Sequence, residues 1–270
     1  MALVSIDERN GLYVEHRRPQ RSDAQTFVFV NALTGSTDAW EAVVAPSLRA
    51  RGFGTLSYNF RGQDGSPFDP ALALTPELIV GDLQMLLQSE APDRPLLVGL
   101  SIGGLFAAQA VLAGSVVHGL VLLNTLREIG PRIAWVNDAM PVIVKAGGVS
   151  LFLDALLPLL VNQDYTAQAR EKFFKGDYEG LSDSHGHMNL MRHAGQADWD
   201  IAYEKLSLPV LVITGLEDRV FLDHDVVDAL FQRLPDARRE DWAGAGHLLP
   251  QEAPDKLAAS LAAFATAIGT

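Results

Sequence analysis

Residues 94–103 read Arg94-Pro95-Leu96-Leu97-Val98-Gly99-Leu100-Ser101-Ile102-Gly103. The apolar run has the character of a buried strand. It breaks into Gly-x-Ser-x-Gly, and Gly104-Leu105-Phe106-Ala107-Ala108-Gln109-Ala110-Val111-Leu112 then reads as a helix. A serine at the tip of so sharp a turn is held in strained backbone angles, which lift its hydroxyl clear of the sheet edge. Gly99 and Gly103 serve a steric purpose, since a side chain at either position would collide with the neighbouring strand or helix. The pentapeptide alone is short enough to arise by chance. Its flanks, strand before and helix after, give it meaning.

A serine hydroxyl is a weak nucleophile at its free pKa and needs a base, itself oriented by an acid. Both have candidates downstream. Leu208-Pro209-Val210-Leu211-Val212-Ile213-Thr214 reads as a buried strand followed by Gly215-Leu216-Glu217-Asp218. Arg238-Arg239-Glu240-Asp241-Trp242 reads as a last strand followed by Ala243-Gly244-Ala245-Gly246-His247. The order Ser101, Asp218, His247 is that of one triad-bearing fold and not of the others. Asp223, Asp225 and Glu217 lie near Asp218 but read as loop and helix-cap residues. Asn124, at the end of the strand after the serine helix, cannot act as an anion.

On these residues the chain resembles the α/β-hydrolase superfamily, in the cap-bearing branch of small esterases, lactonases and carbon–carbon bond hydrolases, over nearly its whole length. The resemblance implies a mostly parallel eight-stranded sheet flanked by helices, with a helical cap after the sixth strand. It places the core at 1–125 and 202–270 and the cap at 126–201. It also implies an oxyanion hole made by the backbone N–H of Ile102 and of a residue in the loop after the early strand, which by position is Leu33. No cofactor and no metal are called for.

Composition agrees with such a fold. The chain has 270 residues, 48% of them hydrophobic, enough for one large domain with an inserted cap. The net charge of −12 argues against nucleic acid or an anionic membrane as partners, and for solubility; the partner expected is a small-molecule substrate. There are no cysteines, hence no disulfide framework and no thiolate metal site. The first residues show neither a basic start nor a long apolar run, and no uninterrupted apolar stretch is long enough to span a bilayer, so a cytoplasmic location is expected.

The pass along the chain alternates strands and helices. Leu3–Asp7 and Leu12–His16 read as a hairpin around Asn10-Gly11. Thr26–Val30, Gly54–Asn59 and His118–Asn124 read as strands, and Asp38 to Ala50 as one helix. Thr75-Pro76 starts another helix running to about Gln88. From Leu126 to about Ile201 the alternation stops, and helices are expected at Trp135–Lys145, Ser150–Leu160, Tyr165–Lys175 and Ser184–His193. The apolar runs within this stretch are expected either to pack on the core and line a pocket or to form a structural helical insert, and Trp135, Met140, Phe152 and Met188 are candidates to line the pocket or simply to pack the cap. An exposed apolar cap edge would suit a homodimer. His185, His187 and His193 form a small cluster without a supporting carboxylate pattern.

Two loops depart from the family pattern. The His-Gly pair after the early strand is Asn31-Ala32, although Trp40 keeps its spacing of nine from the first of them. Asn31 reads mainly as a hydrogen-bonding brace, and with Thr34 as a polar contact for substrate. In Asn59-Phe60-Arg61-Gly62-Gln63-Asp64-Gly65-Ser66, Asn59 replaces an acid and Asp64 a glycine. Arg61 is expected to form a salt bridge or backbone contact.

Three functional readings follow. The first is hydrolysis of a small, fairly apolar carboxylic ester or lactone through an acyl-enzyme. The second is cleavage of a carbon–carbon bond in a vinylogous keto acid, which asks for a carboxylate-binding arginine in the pocket, with Arg61, Arg127, Arg132 and Arg192 as candidates. The third is a ligand-binding protein with a vestigial site.

Overall fold

The computed structural model describes residues 2–21 and 23–269. Eight strands form one sheet in the order β1-β2-β4-β3-β5-β6-β7-β8. They are β1 (Ala2–Ser5), β2 (Gly11–Arg17), β3 (Thr26–Val30), β4 (Gly54–Tyr58), β5 (Pro95–Leu100), β6 (Gly119–Leu123), β7 (Val210–Gly215) and β8 (Ala237–Trp242). The opening hairpin joins the sheet antiparallel, with β2 against β4, and the remaining pairs are parallel.

The central strands are buried on both faces, which explains their unbroken apolar runs. Side chains alternate with period two. Val28, Val30, Leu97 and Leu122 enter one core, with Ile79 and Leu83 of α3 (Pro76–Glu90) and Leu105 and Phe106 of α4 (Ile102–Leu112). Phe27, Phe29, Leu96 and Val98 enter the other, with Trp40 of α1 (Asp38–Glu41), Leu48 of α2 (Val44–Arg49), and Leu261 and Phe264 of α10 (Pro254–Ile268). The single helix expected from Asp38 to Ala50 is two helices. The chain turns at Val43, and Pro46, which has no N–H to give to the preceding turn, sits in the first turn of α2. Thr75 caps α3 as expected, its hydroxyl accepting from Leu78 N at 3.3 Å.

A helical cap follows β6. It comprises α5 (Pro131–Leu160), α6 (Gln163–Phe173) and α7 (Gly186–His193). By length and composition α5 alone would pass for a membrane span, at a mean hydropathy of 1.8. It is broken at Gly147 and Gly148, where φ reaches +72°, so it acts as two helices over 131–146 and 149–160. A Cβ at Gly148 would meet Glu179 O at 2.7 Å, so the break needs glycine for space as well as for its backbone angle. The end of the cap is continuous with the body: Leu190, Ala194, Ala197 and Trp199 share one core with α3 and α4. After β7 come α8 (His224–Phe231), then β8, then the short α9 (Leu249–Glu252).

One buried ion pair braces the rim of the sheet. Arg61 holds Asp82 of α3 through two bonds, at 2.7 and 2.6 Å, with both residues buried. Cutting one partner leaves the other as an uncompensated buried charge. Asp82→Ala is therefore expected to cost about 3–5 kcal/mol, whereas Arg61→Met with Asp82→Leu costs far less. Urea unfolding of the single and the double variant checks this. Equal losses in single and double variants would contradict it.

Candidate active site

Every segment of interest leaves the sheet at the carboxyl ends of its parallel strands, where open α/β sheets form their clefts. Ser101 follows β5, Asn31 to Thr34 follow β3, Asn59 to Gln63 follow β4, Asn124 to Arg127 follow β6, Asp218 follows β7 and His247 follows β8.

Ser101 stands between β5 and α4 at φ +58°, ψ −123°, a left-handed conformation that costs energy for a residue with a side chain. The neighbours enforce it. Ser101 N donates to Leu123 O at 2.8 Å, and Thr125 Oγ1 donates to Ser101 O at 3.1 Å. A Cβ on Gly99 would overlap the Gly104 backbone, and one on Gly103 would overlap Val30 O and Asn31 O. The turn is thus as tight as the sequence reading requires.

His247 Nδ1 lies 2.6 Å from Asp218 Oδ2, both side chains being buried. The other carboxylate oxygen, Asp218 Oδ1, accepts from Val220 N at 3.0 Å and Phe221 N at 2.9 Å. Burial pushes the Asp218 carboxyl up. His247, through its charge and its hydrogen bond, then the Phe221 N–H and the charge of Arg127, outweigh burial and hold it below the ordinary carboxylate value. The anion fixes the imidazole with Nδ1–H toward Asp218 and Nε2 on the side away from it.

The histidine loop is held by residues that sequence reading did not assign. Glu252 accepts from the N–H groups of Gly246 and Leu248 and, across to the cap, of Asn162. His247 N donates to Leu160 O at 2.6 Å. Asn124, in a left-handed conformation at φ +49°, donates to Gly246 O and His247 O and accepts from Gly215 N at 2.8 Å. It ties the ends of β6, β7 and β8 together. The asparagine was visible as a non-acid at an acid position, but its bridging role needs three loops in view.

Ser101, Ile102, Leu33, Thr34 and His247 line one pocket. Its remaining wall is mostly apolar and comes largely from the cap, including Ile133, Met140, Phe152, Leu160 and Trp199. Met140 and Phe152 are thus on the wall, whereas Met188 is buried inside the cap. Asn31 and Trp135 are not among the lining residues. The Asn31 amide is consumed by the scaffold: Nδ2 donates to Tyr58 O and Asn59 Oδ1, each at 2.9 Å, and Oδ1 accepts from Trp40 Nε1 at 2.7 Å. That last bond is the physical reason for the nine-residue spacing. Trp135 is 79% exposed on the outer side of α5. Neither is carried forward as a substrate contact.

Asn59 and Gln63 complete the brace. Asn59 Oδ1 also accepts from Thr37 N at 2.8 Å, so a neutral Asn31–Asn59 pair stands where the family pattern has His and an acid. Gln63 Nε2 donates to Ala32 O at 2.8 Å and to Leu33 O at 3.1 Å. Ala32 O and Leu33 N belong to one planar trans peptide, so holding the carbonyl on one side aims the N–H to the opposite side. Ile102 N, the first N–H of α4, lies outside the helix ladder at the positive end of the helix dipole.

Of the four arginines considered from sequence, Arg61 is spent on Asp82, Arg132 donates to Leu222 O, and Arg192 pairs with Asp183 at the surface. Arg127 alone lines the pocket. Its Nη2 donates to Ser101 Oγ at 2.9 Å and to Asn124 O at 2.7 Å. Full burial pulls its pKa down to about 10, against the upward pull of Asp218. Among the described residues no hydrogen bond joins Ser101 Oγ to His247. The hydroxyl is held by Arg127, and catalytic contacts in ligand-free sites are often long. His185 Nδ1 accepts from His187 N at the start of α7, and among the described residues no group of three or more metal-ligating side chains converges.

Comparison with known proteins agrees with this architecture. The chain is 25% identical over 278 residues to 3-oxoadipate enol-lactonase 1 of Acinetobacter baylyi, covering 98% of this chain and 97% of that one. Among solved structures it superposes on an esterase from Exiguobacterium antarcticum with a TM-score of 0.82 at 16% identity, over 98% of both chains. It superposes on the enol-lactonase of Burkholderia xenovorans with a TM-score of 0.79 at 24% identity, over 98% of this chain and 100% of that one. The model of the Alpha/beta hydrolase family matches residues 27–260. With the sheet order, the strained serine turn and a match spanning most of its length, the chain belongs to the α/β-hydrolase family.

Proposed function

We propose that this protein is a serine hydrolase that cleaves a small carboxylic ester or lactone through an acyl-enzyme, with Ser101 as nucleophile, His247 as base and Asp218 as its orienting acid. The observation that carries the reading is the buried His247 Nδ1–Asp218 Oδ2 pair at 2.6 Å on the same pocket as the strained Ser101. The enol-lactonase and esterase activities named for the relatives point the same way.

In this reading Ser101 Oγ bonds to the substrate carbonyl carbon while its proton passes to His247 Nε2. The carbonyl oxygen becomes an oxyanion facing the N–H groups of Leu33 and Ile102, each such donor being worth about 3 kcal/mol in the transition state. The bond to the leaving oxygen then breaks as that oxygen takes the proton from His247. A water molecule, deprotonated by His247, attacks the acyl carbon, and Ser101 departs with the proton restored. Residues 126–201 act as the cap over a core of 1–125 and 202–270, and the apolar wall favours an apolar body for the substrate.

Release of acid from a panel of short p-nitrophenyl esters and small lactones tests the reading. Turnover that disappears in Ser101→Ala is expected, and no turnover of any member would contradict it. The orientation of the Leu33 N–H supplies a finer test. Gln63→Leu frees the Ala32 carbonyl, and kcat is expected to fall about tenfold to a hundredfold with KM little changed. An unchanged kcat would remove Gln63 from the account.

A further inference from the structure

We infer that Arg127 is an anion-binding residue of the pocket, and that the substrate carries a carboxylate a short distance along the chain from the carbonyl that Ser101 attacks. The second half rests on the hydrolase reading above. The anion site itself stands on the surroundings of Arg127.

Arg127 is 4% exposed. A guanidinium offers five N–H donors in a rigid planar fork matched to a carboxylate. Here one nitrogen is committed, to Ser101 Oγ and Asn124 O, both uncharged acceptors. Nε is buried with no hydrogen-bond partner among the described residues, and none of their carboxylates lies within ion-pair distance. The other strongly buried arginine, Arg61, has a two-bond carboxylate partner. A chain with 33 acidic residues against 21 basic ones has thus left one of its most buried cations without an anion.

The guanidinium carbon lies over the rings of Trp199 and Phe221, 4.6 and 4.5 Å from their centres. These contacts hold the plane and recover part of the desolvation cost, but they supply no hydrogen-bond acceptors. Arg127 lines the pocket, where a ligand can supply the acceptors that the protein does not. A buried, unpaired charge costs stability, and a site that binds its counter-ion from solution explains its retention. Nη2 is 2.9 Å from Ser101 Oγ, so an anion on the fork lies close to the attacked carbon and the spacer between them is short. A carboxylate on the fork would also compete with Ser101 Oγ for Nη2, releasing the hydroxyl toward His247. The same chemistry is carried by the acid half of a hemi-ester or carboxylated lactone and by a vinylogous keto acid.

The test compares p-nitrophenyl hemiglutarate with p-nitrophenyl pentanoate, which is similar in length but uncharged, in the wild type and in Arg127→Gln, Arg127→Met and Arg127→Lys. The wild type is expected to favour the acidic ester in kcat/KM. That preference should fall by about 30-fold or more in the Gln and Met variants and return in part with Lys. A purely structural arginine would not move this ratio. Arg127→Met is also expected to melt no lower than the wild type, since it removes an unpaired buried charge. A coloured vinylogous keto acid is run beside the esters: faster turnover of it assigns the carboxylate to a keto acid, slower turnover to an ester or lactone, and either supports the site. Calorimetric titration with glutarate and with glutaramide reads the anion site without turnover. Glutarate binding lost in Arg127→Met keeps the inference even if no ester is cleaved. No preference for the acidic ester together with no glutarate binding overturns it, while leaving the hydrolase reading standing if the neutral ester is cleaved.

Discussion

Ser101→Ala and His247→Ala are each expected to lower kcat for a short ester by about five to six orders of magnitude, and the double variant little further. In the proposed mechanism the two side chains act as one unit: without the hydroxyl no acyl-enzyme forms, and without the imidazole its proton has no acceptor. Ser101→Ala leaves the fold undisturbed, whereas His247→Ala, which strips the buried Asp218 of its partner, lowers stability but leaves the loop in place. Ser101 contributes no side-chain donor to the scaffold, and the histidine loop keeps its backbone ties to Glu252, Asn124 and Leu160. Lost turnover in both variants, with Ser101→Ala melting as the wild type does and His247→Ala lower but still folded, would carry the prediction. Additive losses in the double variant would mean that the residues do not act together.

Asp218→Asn is expected to lower kcat by about four orders of magnitude. The asparagine amide fills the same space but can present an N–H to His247 Nδ1, which turns the imidazole to the tautomer that cannot take the proton of Ser101. The same substitution carries a pH signature. The Asp218 carboxyl sits below its ordinary value despite burial, because His247 and the Phe221 N–H favour the anion. A depressed carboxyl contributes stability that is complete above the unfolded value and is lost as pH falls through the folded one. The gap in melting temperature between wild type and Asp218→Asn is therefore expected to be constant near neutrality and to close below about pH 4. A gap that persists in acid would place the stabilisation elsewhere.

Much of the fold was legible because its decisive steps are local. The serine turn is specified by steric limits within five residues, and the central strands by apolar runs that only a doubly covered sheet accommodates. The order of serine, acid and histidine needed only the rule that loops leave strands at their carboxyl ends. The cap resisted the same reading. Helical periodicity gives no absolute direction, so Trp135, read as a pocket residue, faces outward while Met140 and Phe152 face the pocket. The pairing of Asn31 with Asn59 and the grip of Gln63 on the Ala32 carbonyl link loops about thirty residues apart and leave no periodic trace. Arg127 was visible as one of four candidates. What distinguishes it is the absence of a carboxylate, a property of its whole surroundings rather than of its place in the chain.

In the proposed mechanism Ser101 is made nucleophilic by His247. This is tested most directly by exposing the protein to a small fluorophosphonate, measuring the intact mass and mapping the modified peptide. A single adduct on Ser101 is expected, forming rapidly in the wild type and absent in His247→Ala. An adduct elsewhere, or one on Ser101 formed equally fast without His247, would contradict it.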